Sequence, residues 1–257
     1  MKVWASLIFL ITLSSCLSLF QKKNEQINFD QKLTTEDYSQ FMQGLTKSLM
    51  NNQQISMKEL KGEQANYINT LAKNIFEANS LLFKIEGNVP EVKFYIIKDP
   101  RPFYFSLPGY QIFVSNTILK KFVQNESYLI CLLTYELFRS RFNIYPKVFV
   151  PPVHYGSLEK IISFTRIAVD EKIKLHEWSA YAITRARLDH NLYIQWIQLH
   201  NRSYNEFNFH YQDRSLALKE ELMLKKFVIK NFGNKIFGSV EFKSSPQFYS
   251  FLGAISH

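Results

Sequence analysis

The stretch "LLTYELFRSRF", residues 132–142, decides how this chain is read. It continues an apolar run, "YLICLLTYEL", and the two together predict a helix from Glu126 to about Arg141, strongly apolar on one side. One acid, Glu136, stands inside that apolar run. Arg139 follows three positions later and therefore shares a helical face with it. A charged pair on an otherwise oily helix needs a reason, and the surrounding sequence supplies candidates.

The chain has 257 residues, 46% of them hydrophobic and 16% aromatic. That composition supports a sizeable core and excludes wholesale disorder. The formal charge is 31 − 22 = +9. The cations are scattered, with no Lys/Arg run of five, so no nucleic-acid partner is expected. A diffuse positive surface suits a place beside anionic lipid.

The amino terminus, "MKVWASLIFLITLSSC", has one cation at Lys2, an apolar run from Val3 to Leu13, and then small residues. That order is a secretory signal, too short to span a bilayer comfortably. Leu13 to Cys16, "LSSC", resembles the lipobox of bacterial lipoproteins. The resemblance implies cleavage before Cys16, diacylglycerol on its sulfur and acylation of its new amine. The expected organisation is a signal peptide at 1–15, a lipidated and tethering segment at 16–33, and a single domain over 34–257. The expected place is a bacterial cell envelope, lipid-anchored and facing the periplasm or the outside, with membrane lipid as a partner through Cys16. The bland reading is an ordinary signal or uncleaved anchor with a chance cysteine. Cys131, the second of two cysteines, has no intramolecular partner if Cys16 is lipidated, and reads as a small buried hydrophobe.

Local signals lay out the rest. Thr34 or Thr35 caps a first helix. Apolar spacing predicts a longer helix from about Met57 to Ile85. Glu91–Asp99, "EVKFYIIKD", is β-branched, aromatic and bounded by prolines, and reads as a strand; "GYQIFVS" reads as a second, ending at Ser115, which can cap the helix "NTILKKFV". Helices are expected at roughly 157–174, 176–200 with a break, and over "DRSLALKEELMLKKFVIKNF". The segment 232–257 is ambiguous. The class is α+β, mostly helical with a small β-sheet.

Three stretches then line up in order: "FSLPGYQIFVSNTIL" (105–119), "YLICLLTYELFRS" (128–140) and "LHEWSAYAITRARLDHNLYIQW" (175–196). Together they resemble the CAAX-prenyl-protease and HtpX-like zinc metallopeptidases. Those proteins carry a strand segment N-A-F-A-x-P-G-G-x-I-x-V, then E-L-A-x-V-L-A-H-E-x-x-H on a helix, and later E-x-x-A-D. The resemblance is strongest over residues 90–200, and implies a zincin-like metallopeptidase fold. Pro108, Gly109, Ile112 and Val114 match the strand segment; Phe103 and Tyr110 depart from it. Glu136 matches the general base. Tyr135 and Arg139 replace the two zinc-binding histidines in Tyr135-Glu136-Leu137-Phe138-Arg139. Glu177 matches the carboxylate ligand and Ala180 the following alanine, while Tyr181 replaces the aspartate. In the family the strand over Tyr110, Gln111, Ile112, Phe113 and Val114 is an edge that binds extended substrate, which makes it a candidate peptide-binding edge here.

The chemistry of these replacements is plain. A catalytic zinc takes about three protein donors and an open position. A neutral phenol is a poor ligand, and a guanidinium is a permanent cation with no lone pair to give. No metal or other cofactor and no catalysis are therefore expected, with Glu136 as a remnant general base and Glu177 as a remnant ligand. One expectation is that Arg139 bridges Glu136 and Glu177 as a surrogate for the ion; the alternative is an ordinary solvated i,i+3 pair. No histidine pairs with another at i+3 or i+4, whether His154, His176, His190, His200, His210 or His257. The favoured expectation is a membrane-anchored lipoprotein with an inactive metallopeptidase-like domain that binds or scaffolds polypeptides at the envelope. Two others stand beside it: an active zinc peptidase with atypical ligands, and a surface lipoprotein for envelope or host interaction unrelated to peptidases.

Overall fold

A computed structural model describes residues 35–85, 87–146, 157–207, 213–233 and 243–255. The segments expected as leader (1–15) and lipidated tether (16–33), Cys16 among them, and His154, His210 and His257 lie outside the described residues. The chain divides into Met1–Tyr38, of which the described part is the start of a helix, and Ser39–His257.

The first helix is α1 (Thr35–Asn51). The strand β1 (Met57–Glu59) then precedes α2 (Gly62–Ala78) and a single helical turn, α3 (Ser80–Phe83). One helix had been expected from Met57 to Ile85, and the structure corrects this at its start. Met57–Glu59 pairs antiparallel with β2 (Lys93–Ile97), Met57 opposite Ile97 and Glu59 opposite Tyr95. The pairing partner lies far along the chain, and Gly62 at φ 59° opens the turn into α2.

The strand expected at Glu91–Asp99 is present as β2. A strand that local patterning missed, β3 (Tyr104–Leu107), runs antiparallel to β4 (Gln111–Ser115). All four residues of β3 are buried, so it lacks the in-out alternation that marks a strand in sequence. The sheet order is β1-β2-β4-β3, with β2 and β4 parallel. This order overturns the peptide-binding edge expected over Tyr110–Val114. β4 is hydrogen-bonded on both sides, Val114 standing opposite Ile96 and Tyr104, and has no free edge to offer a substrate.

The turn between β3 and β4 uses Gly109 at φ 79° and Tyr110 at φ 57°. Its two ends are fastened by one hydroxyl: Ser140 Oγ accepts from the Tyr110 N–H (2.8 Å) and donates to the Leu107 carbonyl (3.0 Å). Ser115 caps α4 (Asn116–Lys121), as expected, by accepting from the Ile118 N–H.

Ser140 belongs to α5 (Glu126–Arg141), the helix that carries the opening stretch. It was expected to be apolar on one side. It is buried nearly all round, packed against β3 and α2 and against two helices that follow. Those are α7 (Val169–Arg185) and α8 (His190–Arg202), after the short α6 (Leu158–Phe164). Helices had been expected at 157–174 and at 176–200 with a break; that break is present at 186–189, but the first boundary falls earlier, at 165–168, so the middle helix begins at Val169. α9 (Arg214–Phe232) begins at the Asp213 cap and packs on α7 and α8. Part of the ambiguous tail forms α10 (Pro246–Ile255), against α2. The architecture is α+β, mostly helical with a small mixed sheet.

Candidate functional site: a buried charged cleft between α5, α7 and α9

Glu136 and Arg139 project from the carboxyl-terminal part of α5 into a cavity of about 40 Å³. α7 adds Lys172 and His176 to its lining, and α9 adds Glu220. Glu136 is fully buried and Arg139 is 5% exposed. Arg139 Nη1 lies 3.7 Å from Glu136 Oε2, its Nε donates to the Ile144 carbonyl (3.3 Å), and its guanidinium stacks 5.2 Å from the Tyr145 ring centre. The pair is therefore buried, not the solvated alternative. A buried ion pair is stabilised only when further hydrogen bonds complete it. Here neither carboxylate oxygen of Glu136, nor Nη2 of Arg139, has a hydrogen-bond partner among the described residues. Burial raises the Glu136 carboxyl above its ordinary value, and the nearby guanidinium offsets only part of this.

A second charged group closes the cleft from the other side. His176 Nδ1 lies 2.9 Å from the Tyr193 hydroxyl, and His176 Nε2 lies 3.3 Å from Glu220 Oε2. Lys172 Nζ reaches Glu220 Oε1 at 3.4 Å. Burial lowers the Lys172 ammonium below its ordinary value, and Glu220 opposes that shift. Tyr135 turns toward His176, their ring centres 5.0 Å apart. Burial drives the Tyr135 phenol well above its usual range, so it stays protonated. Between them the two clusters present Arg139, Lys172 and Arg166 to one small space together with Glu136 and Glu220.

Tyr135, Glu136 and Arg139 thus meet in one cleft. Glu177 does not line it; the side chain is half-buried and makes no ion pair among the described residues. The bridge expected from Arg139 to both Glu136 and Glu177 has only its first half. Neighbouring residues on a helix point about 100° apart, and the inward direction belongs to His176. Ile173, His176, Ala180 and Ile183 are all buried and follow helical spacing, so the sequence held this signal. Glu220 was also missed. It stands among Ala217, Leu224 and Val228 on the buried stripe of α9, where an acid is out of place unless it is paired. His190 and His200 pack among aromatic rings, stacking on Phe232 and against Trp196 respectively. Cys131 is buried, its thiol held protonated by burial.

Among the described residues no group of three His, Cys, Asp or Glu side chains is arranged to hold a metal ion. A scan against models of known protein families gives no match, and a search of curated proteins gives none either.

Proposed function

We propose that the chain is a lipid-anchored protein of a bacterial cell envelope whose domain descends from a zincin-like metallopeptidase, no longer cleaves, and serves by binding or scaffolding polypeptides. The observation that carries the reading is Arg139. Its guanidinium is 5% exposed and 3.7 Å from Glu136, at the sequence position where the resembled family carries its second metal-binding histidine. A fixed cation there opposes a dication and offers it no lone pair. Tyr135, at the place of the first histidine, keeps its proton. Without the ion, the low water pKa that hydrolysis uses has no source. The leader and "LSSC" support the envelope anchor. The polypeptide-binding surface is not β4, whose two edges are both paired.

The test is to purify the full chain, measure zinc per chain by mass spectrometry, and follow cleavage of an unfolded protein substrate with Glu136→Gln as the control. The expected result is zinc far below one per chain and no cleavage that depends on Glu136. Stoichiometric zinc, with activity lost in the Glu136→Gln variant, would establish instead an active peptidase with atypical ligands, of which His176 and Glu220 are the nearest candidates.

A further inference from the structure

The outer face of α9 carries an aligned row of exposed aliphatic side chains. Its buried stripe is Ala217, Glu220, Leu224 and Val228. On the opposite side Leu218, Leu222 and Ile229 are 54%, 52% and 60% exposed. At 100° per residue these three fall within about 40° of arc, and they span roughly 16 Å along the axis. Scattered exposed aliphatics are ordinary, but an aligned row of three is not. Cations border the row on both flanks: Lys219, Lys226 and Lys230 on one, Arg214 and Lys225 on the other. The helix's two acids are turned away, Glu220 into the cleft and Glu221 toward Asn201 and Lys225; Lys219 reaches Asp170 of α7 at 3.3 Å in an exposed pair, and Lys226 and Lys230 carry no ion pair among the described residues. At the carboxyl end Tyr181 of α7, 39% exposed, packs near Phe232 and places an amphipathic ring beside the row.

We infer that α9 lies along an anionic lipid surface, with Leu218, Leu222 and Ile229 dipping into the acyl boundary and the flanking lysines reaching the headgroups. Three features select lipid over an acidic protein. The face is narrow, far below the roughly 800 Å² that each partner buries in a stable protein interface. It is rich in Lys, Leu and Ile, whereas protein interfaces favour aromatic anchors and Arg and are poor in Lys. It is convex, with aliphatics between long flexible cations, the pattern of helices that lie in a membrane interface. No helix among the described residues is long and apolar enough to cross a membrane, so this contact would lie along the surface and not through it. The inference does not depend on the cleft or on any peptidase ancestry.

The experiment places an environment-sensitive fluorophore at Leu222→Cys in the full chain, reconstituted into vesicles of phosphatidylcholine alone or with roughly one-third phosphatidylglycerol. The same chain without the added cysteine gives the background from Cys16, since Cys131 is buried. A probe at Leu81→Cys, on α3 and 80% exposed, is the reference. The expected result is a blue shift and quenching by a lipid-borne quencher at position 222 in the anionic vesicles only, weakened by salt, with position 81 unchanged. Lys219→Gln, Lys226→Gln and Lys230→Gln together should weaken the docking equilibrium roughly a hundredfold, at several-fold per cation. All three are exposed, and circular dichroism checks that the variant keeps its helices. Equal shifts in neutral vesicles, a shift at position 81 as well, or no effect of the triple substitution would overturn the inference. So would a probe at 222 already shielded before vesicles are added, which would mean that protein covers this face.

Discussion

Two buried glutamates on one helix differ in nearly every physical respect. Glu126, in the first turn of α5, is 5% exposed and saturated with donors. Its Oε1 accepts from the Tyr67 hydroxyl (2.6 Å) and from Ser245 Oγ (2.7 Å), its Oε2 accepts from the Ser245 N–H (3.0 Å), and its own N–H donates to Ser244 Oγ (3.0 Å). It also sits at the positive end of the helix dipole. Glu136, ten residues on, is fully buried, with no hydrogen-bond partner for either oxygen among the described residues and one cation at 3.7 Å. The first carboxylate is a latch that joins α2, α5 and the approach to α10. The second contributes nothing comparable to holding elements together. A buried acid without hydrogen-bond partners among the described residues, lining a cleft, is a candidate site residue.

The sharpest way to break this contrast is Arg139→Ala. It strands the Glu136 charge in the interior and should cost about 3–5 kcal/mol, read from urea unfolding at neutral pH. Part of the loss should return in mild acid, where the native carboxyl takes up a proton. A cost below about 1 kcal/mol would mean that Glu136 is neutral or solvated throughout, and the contrast with Glu126 would fail.

Glu126→Ala should cost less, about 2–3 kcal/mol, because it leaves the Tyr67 hydroxyl and the Ser245 donors without an acceptor in a partly buried place. The same variant should expose α10 to protease before the rest of the domain unfolds, since Ser245, whose hydroxyl accepts from the Phe248 N–H, loses its anchor. Unchanged cleavage of residues 243–255 would show that packing alone holds α10.

The smallest effect is expected from removing both members of the cleft pair. Glu136→Leu with Arg139→Met should be neutral or stabilising by about 1–2 kcal/mol at neutral pH, whereas stripping the Glu126 latch never is. The sign with pH follows from the raised carboxyl. In the folded chain Glu136 holds its proton above the ordinary value of 4.5. Its favourable contribution is therefore complete below that value and is lost as the pH rises through the raised one. Unfolding midpoints measured from acid to neutral pH should show this decline in the parent chain and a flatter profile in the double variant.

What local patterning could reach follows the same division. The Ser115 cap and the helix signals of α5 and α9 are contained in consecutive residues, and they read correctly. Met57–Glu59 is a strand only because β2 arrives beside it, and nothing in three residues states that. Tyr104–Leu107 has no alternation because both of its faces are covered. The likeness that pointed to Glu136 and Arg139 was one of order and spacing, and their i,i+3 separation on one helix places them on one face. The same likeness chose Glu177 in α7, where the phase of the helix turns His176 inward. Glu220, forty-four residues beyond His176, was legible as an acid on an apolar stripe but not as that histidine's partner.

The sequence alone determined the residue chemistry: a phenol and a guanidinium flanking a glutamate on one helix, an apolar amino-terminal run followed by small residues and Cys16, and helices whose caps and periods are local. Only the tertiary structure decided that β4 is an inner strand, that the charged pair is buried, and that His176 and Glu220 complete the cleft. The physical reason is that strand order and burial depend on segments far apart in the chain meeting in space, and the ionisation of a buried group depends on what surrounds it there.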